Sequence, residues 1–226
     1  MSKFKVPKFV KYIRALSIVI VGVLITLSIT SYISRKAKEK EVKELMTLIK
    51  IELQENLESI ERVQQKYETE QRVFALIRQQ IDNLEKIPAD TLKQHRNILG
   101  GIHRVLSEKD SYEVFKSSLL MPYVKDKNFL RRLAKTYREI ETISDQLERY
   151  TTMKANGANE MVENMTEKDL QLWENGTIYD YFRIPLSHKT YRSFVFIGGT
   201  ILAADIFEYT KQVISSMIKE IDEQRF

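Results

Sequence analysis

Two apolar patterns of different period divide the chain. From Ala15 to Ser34 the residues read ALSIVIVGVLITLSITSYIS, an uncharged run bounded by Arg14 and Arg35. About 20 such residues at 1.5 Å each match the hydrocarbon core of a bilayer, so the run predicts one transmembrane helix. Beyond Arg35 the apolar positions become periodic. A heptad read from Met46 places Met46, Leu53, Ile60, Tyr67, Phe74 and Ile81 at a, and Ile49, Asn56, Val63, Glu70, Ile77 and Leu84 at d. Ten of these twelve are apolar, and no Pro or Gly interrupts residues 35–86. That predicts a long helix continuing out of the span, roughly 75 Å long if unbroken.

Asn56 and Glu70 interrupt the d row. A polar residue in a seam can fix register or oligomeric state; alternatively it faces water where the helix drifts off the seam, the reading expected for Glu70. Leu45, Leu48 and Leu57 widen the stripe beyond a two-stranded seam. The expected partners are therefore the later helices of the same chain.

Ile87-Pro88 should stop this helix. Asp90 then predicts a helix running through His103 to Ser107, weakened at Gly100-Gly101, and Asp110 or Ser111 a short one containing Tyr112, Phe115 and Leu119, closed by Pro122. Asp126 opens a long helix with Phe129, Leu133, Tyr137, Ile140, Ile143, Leu147 and Tyr150 in register, expected to end at Asn156-Gly157. Thr166 begins a turn of helix ending at Asn175-Gly176. TIYDYFRIPL, residues 177–186, could be extended or a loop, and Ser187 should cap a last helix to Gln224, with Phe194, Ile197, Ile201, Ile206, Tyr209, Val213, Met217 and Ile221 on its apolar side. Its apolar centre, residues 194–204, is too short to cross a bilayer. The expected fold is all-α: a transmembrane helix continuing into a long amphipathic, coiled-coil-like helix packed in an antiparallel bundle. The expected divisions are a basic tail (1–14), the span (15–34), the juxtamembrane helix (35–87) and the bundle (88–226).

The net charge of +5 invites a nucleic-acid reading, but its placement removes it. Lys3, Lys5, Lys8, Lys11 and Arg14 all precede the span, and without them basic and acidic residues balance at 31 each. The basic excess flanks a membrane, so no nucleic acid is expected. The absence of cysteine excludes disulfides, thiolate metal sites and thiol nucleophiles.

A secretory signal peptide is the rival reading of the apolar run. Its length and the poor cleavage site at Ser28-Ile29-Thr30, followed by Tyr32 and Ile33, favour an uncleaved anchor. The flanks, Lys3, Lys5, Lys8, Lys11 and Arg14 against Arg35, Lys36, Lys38, Lys40 and Lys43, nearly balance. The short acid-free tail favours a cytoplasmic N-terminus, an extracytoplasmic C-terminal domain and the bacterial inner membrane. Gly22, Thr26, Thr30 and Ser34 recur every four residues and could form a span–span contact, or be small residues with no partner.

The layout resembles a group of bacterial single-pass membrane proteins, frequent in Bacteroidota, with a short basic tail, a Val/Ile/Gly-rich span and a helical domain without assigned activity. IVIVGVLITLSI and SYEVFKSSLLMPYVKDKNFLRRLAKTY carry the likeness. Within the second, Tyr112, Lys116, Ser117, Ser118, Lys125, Asp126, Leu130, Arg131, Leu133 and Tyr137 are similar to the group's pattern, with Leu119 where its glycine stands. The resemblance implies architecture and compartment and supplies no chemistry.

No catalytic constellation is present. His95 and His103 stand eight apart without matched carboxylates, and these two and His188 are expected at or near the surface. The glycine pairs lack the context of phosphate-binding loops, and the sequons at Asn164 and Asn175 read as accidental. Trp173, Tyr179, Tyr181, Phe182 and Tyr191 are expected to fill a core or helix junction. No cofactor or enzymatic activity is expected. Two roles fit: a membrane-anchored scaffold or accessory protein binding its own copies or a membrane-protein partner, or a ligand-sensing bundle acting through a separate membrane partner.

Overall fold

The computed structural model describes residues 8–223 and 226, with side chains from residue 16 onward. Helix α1 (Lys8–Gln79) runs without a break from the apolar segment into the body. Along residues 16–37 its side chains are exposed; from Val42 onward its seam is buried. Ten of the twelve heptad positions are buried, and Tyr67 and Ile81 are partly so. Leu45 and Leu57 pack against the core edge, whereas Leu48 is exposed.

Seven further α-helices follow: α2 (Ala89–Gln94), α3 (Asp110–Ser117), α4 (Lys127–Asn164), α5 (Glu167–Asn175), α6 (Ile178–Ser187), α7 (Lys189–Ile197) and α8 (Ile206–Asp222). There is no strand among the described residues. Helices α1, α4 and α8 form the body. Gln64 meets Glu208 and Lys50 meets Asp222, so α8 runs antiparallel to α1. Tyr137 reaches Glu52 and Tyr150 reaches Glu70, so α4 runs the same way as α1. The antiparallel partner is thus α8, because residues 100–126 return the chain to the span end of α1 before α4 begins.

Five boundaries differ from the sequence reading. The α-helix stops at Gln79, short of Pro88, and a 3-10 turn at Leu84–Lys86 follows. The helix expected from Asp90 to Ser107 is only α2 and a 3-10 turn (Arg96–Leu99); residues 101–109 are neither helix nor strand. Helix α4 does not end at Gly157. Gly157 is buried mid-helix, where a Cβ would lie 3.1 Å from the Tyr191 Cα, so the glycine admits the α7 backbone. Residues 178–187 are helix, begun by a capping box in which the Thr177 hydroxyl accepts from the Asp180 N–H and Asp180 accepts from the Thr177 N–H. The final helix is two. It breaks at Gly198, where a Cβ would stand 2.7 Å from the Phe194 ring, and this shifts the buried side of α8 to Ile206, Phe207, Thr210, Ile214, Met217 and Ile221. Ile197 and Tyr209 are exposed as a result. Asp126 caps α4, and Thr166 opens α5, as the sequence indicates. Of the aromatic-rich stretch, Phe182 and Tyr191 are core and Trp173 stacks on Tyr181 with ring centroids 4.1 Å apart.

Candidate functional site

The irregular segment 101–109 has no helix or sheet to satisfy its backbone groups, which must bond somewhere. Polar side chains on α1 supply partners. Leu106 N–H donates to the Ser59 hydroxyl at 3.0 Å, and Glu108 N–H donates to Asn56 Oδ1 at 2.8 Å. Asn56 Nδ2 returns a bond to the Glu108 carbonyl at 2.7 Å, and Ser111 N–H donates to Glu52 Oε2 at 2.6 Å. Asn56 therefore fixes the path of this segment, not an oligomer register.

Glu70 is the centre of the arrangement. It is 1 % exposed, so the expectation that it faces water is overturned. Lys154 Nζ lies 2.6 Å from Glu70 Oε2, and His103 Nε2 lies 2.9 Å from the same oxygen. The Tyr150 hydroxyl donates to Oε1 and accepts from Gln71 Nε2 at 2.9 Å. Lys154 also donates to the Gly101 carbonyl at 2.9 Å. The Tyr67 ring stands edge-on to both His103 and Tyr150. The two charges, with side chains 2 % and 3 % exposed, are thus satisfied by α1, α4 and the 101–109 segment together, with His103 Nε2 as one of the partners.

Burial alone would raise the Glu70 carboxyl; the His103 hydrogen bond and the Lys154 charge outweigh it and hold the group below the usual glutamate range. Burial pulls the Lys154 ammonium down, and Glu70 only partly offsets this. The Tyr150 hydroxyl is pushed well up by burial and then by the neighbouring carboxylate, so it stays protonated and donates. Because a carboxylate only accepts, His103 Nε2 carries the proton toward Glu70, and Nδ1 is the ring's free atom. That Nδ1 is buried without a hydrogen-bond partner.

An open cleft of about 630 Å³ adjoins this network. Arg62, Lys66 and Thr69 of α1 form one wall, and Gln94, His95 and Asn97 the other, with Glu70 and His103 among its lining. Both Glu70 oxygens are occupied by donors, so the carboxylate is structural; the cleft's chemistry is that of Lys66, His95 and the amides. The structure brings His95 and His103 to one cleft, although not along a shared helix: His95 is half-buried at the end of α2 and His103 is buried, contrary to its expected surface position. His188 is half-buried at the α6–α7 junction, remote from the cleft lining. No group of three or more His, Asp or Glu suited to a metal occurs among the described residues.

Of the membrane-flanking residues, Lys8, Lys11 and Arg14 lie on the α1 backbone with side chains outside the described residues, as do Lys3 and Lys5 altogether. Arg35 and Lys36 both contact Glu39 at 3.4 Å. On the small-residue face, the Thr26 hydroxyl donates to the Gly22 carbonyl and Thr30 to the Thr26 carbonyl, each at 2.9 Å, which suits a medium without water. Ser34 shares that face, which is exposed.

Sequence reasoning missed Lys154 and undervalued Glu70 and His103. The available signal was a lone charge inside each of two apolar stripes: Glu70 at d, and Lys154 four residues after Tyr150. Opposite charges on two core faces point to a buried pair. No family model, curated protein or solved structure matches this chain.

Proposed function

We propose that the protein is a single-pass membrane protein whose helical body serves as an interaction module, a scaffold or accessory subunit held beside the bilayer. The observation that supports it is α1, whose two halves meet different surroundings without a break between them. Eleven aliphatic side chains from Leu16 to Ile33 are 49–65 % exposed, while the seam beyond Val42 is buried. Leaving them in water would cost on the order of 10–20 kcal/mol, as much as a whole domain's stability, and lipid removes that cost. The hydropathy of 2.3, with none of the window buried in the body, agrees.

The short acid-free tail and the family-like layout support a bacterial inner-membrane location with the tail in the cytoplasm and the body outside it. Alkaline phosphatase fused after Phe226 should be active; an inactive fusion beside an active cytosolic reporter reverses the orientation. The α1 seam is consumed by this chain's own helices, so a second copy or membrane partner would meet the bare span face or the body surface. Photo-crosslinking in native membranes followed by copurification from detergent tests the main reading. A strictly monomeric, partnerless protein overturns it.

The cleft beside Glu70 favours a second reading, an extracytoplasmic ligand-sensing bundle acting through a separate membrane partner. Its α1 wall belongs to the helix that enters the membrane, so a ligand there would act on the span's own helix. A small organic anion at a hundredfold over its Kd should add about 2.7 kcal/mol of stability. No thermal shift across a panel of such acids removes this reading.

A further inference from the structure

The hydrogen bonds along α1 order the chain by height above the span. His103 lies beside Glu70, Leu106 beside Ser59, Glu108 beside Asn56 and Ser111 beside Glu52, so the segment descends toward the membrane. Helix α3 continues the descent and α4 climbs back, its Tyr137 again level with Glu52. The turn between them, 118–126, is therefore the part of the body nearest the span. Val124 and Val42 are both buried in the core, which fastens the turn to α1. Lys127 Nζ ties three of its carbonyls, those of Met121, Pro122 and Val124.

Desolvation pushes the Glu39 carboxyl up, but the hydrogen bond and charge of Lys36, together with the charges of Lys125 in the turn and of Arg35, outweigh it and lower the group. Lys125 thus lies near Glu39, which is five residues past Ser34, or about 7.5 Å along the helix. The headgroup layer on each side of a bilayer is about 5–8 Å deep. With α1 crossing the bilayer up to Ser34, Lys125 would stand at headgroup depth. On the same turn Leu119 is 86 % exposed, more than any other large apolar side chain among those described.

We infer that the turn 118–126 rests on the surface of the bilayer crossed by α1, with Leu119 in the headgroup layer and Lys125 against lipid phosphate. The body then touches the membrane at two points, which restrains its tilt and rotation about α1. The inference rests on the reading of α1 as a span. A leucine held out on a turn with tied carbonyls is left uncovered by the described residues, and a surface of acyl chains and phosphates complements both Leu119 and Lys125.

The absence of cysteine permits single-site labelling. Full-length protein carrying Leu119→Cys, Leu24→Cys or Val162→Cys, labelled with a polarity-sensitive fluorophore, is placed in phosphatidylcholine vesicles with or without phosphatidylserine. The vesicles contain lipids with nitroxides at shallow or deep positions. All three sites are exposed, so the fold should survive, and circular dichroism checks this. Label 119 is expected to be quenched by the shallow nitroxide, label 24 by the deep one, and label 162 by neither. Lys125→Glu should reduce shallow quenching at 119 in phosphatidylserine vesicles. Quenching at 24 without quenching at 119 overturns the inference and leaves the anchor standing; no quenching at 24 overturns the anchor itself. A blue-shifted but unquenched label at 119 means that a second copy covers it, which also overturns the inference.

Discussion

Replacing Lys154 by Met tests the buried network directly. Glu70 and Lys154 have side chains 2 % and 3 % exposed and sit 2.6 Å apart. Methionine keeps most of the apolar stem and removes the ammonium, which lies 6.0 Å from the centroid of the Phe74 ring. Glu70 would retain His103 and Tyr150 as donors but lose its one fixed positive neighbour. Breaking a buried pair by removing one partner costs about 3–5 kcal/mol, because a buried charge is left uncompensated. For a chain of this size that lowers Tm by about 6–20 °C. The assay is thermal and urea unfolding of the full chain in lipid nanodiscs at neutral pH, followed by far-ultraviolet dichroism and the fluorescence of Trp173. The double variant Glu70→Gln/Lys154→Met removes both charges and leaves an amide to bond Tyr150 and His103. It should be more stable than the sum of the single losses by about 1–3 kcal/mol. A Lys154→Met loss under about 1 kcal/mol, or strict additivity in the double variant, would refute the claim that the two charges depend on each other.

Four further outcomes follow from the same contacts. Because the Glu70 carboxyl is held below the ordinary glutamate value of about 4.3, its contribution is present above that value and is lost as pH falls through its own lower pKa; acid titration of stability should therefore be steeper in the wild type than in Glu70→Gln. Asn56→Ala orphans the Glu108 N–H and carbonyl and should cost about 2–3 kcal/mol, with amide exchange at Leu106 and Glu108 accelerating before that of α4. Gly157→Leu drives a side chain into the α7 backbone at Tyr191 and should cost about 1–3 kcal/mol by urea midpoint, whereas a neutral result would mean that α4 and α7 do not pack at this crossing. Thr177→Ala removes the α6 cap and should cost about 1 kcal/mol, seen as a small fall in Tm with the span environment unchanged.

Residues whose structure depends on near neighbours along the chain were legible in the sequence. The run from Ala15 to Ser34 needs only its own length and apolarity to form a helix fit for lipid. The a and d positions from Met46 to Leu84 predicted the buried seam, since a helix turns its stripe the same way whatever covers it. The Asp126 cap acts within one turn of its own helix. The helix at 178–187 was also encoded locally: Thr177 and Asp180 form the same three-residue box as Thr166 and Asp169, but the β-favouring aromatics after it suggested a strand.

What tertiary structure decided involves partners distant in sequence. Glu70 is buried because Lys154, 84 residues on, and His103 meet it, and no heptad position states which of those will arrive. Residues 101–109 leave the helix because Glu52, Asn56 and Ser59 offer bonds to the returning chain, against the helical reading of that stretch. Gly157 continues a helix that its residue type would end, since the nearby α7 backbone leaves no room for a side chain. Local chemistry set the elements and the membrane-fitted segment; long-range burial of polar groups set the path between them, because a charge or amide removed from water must bond whatever the fold brings within reach.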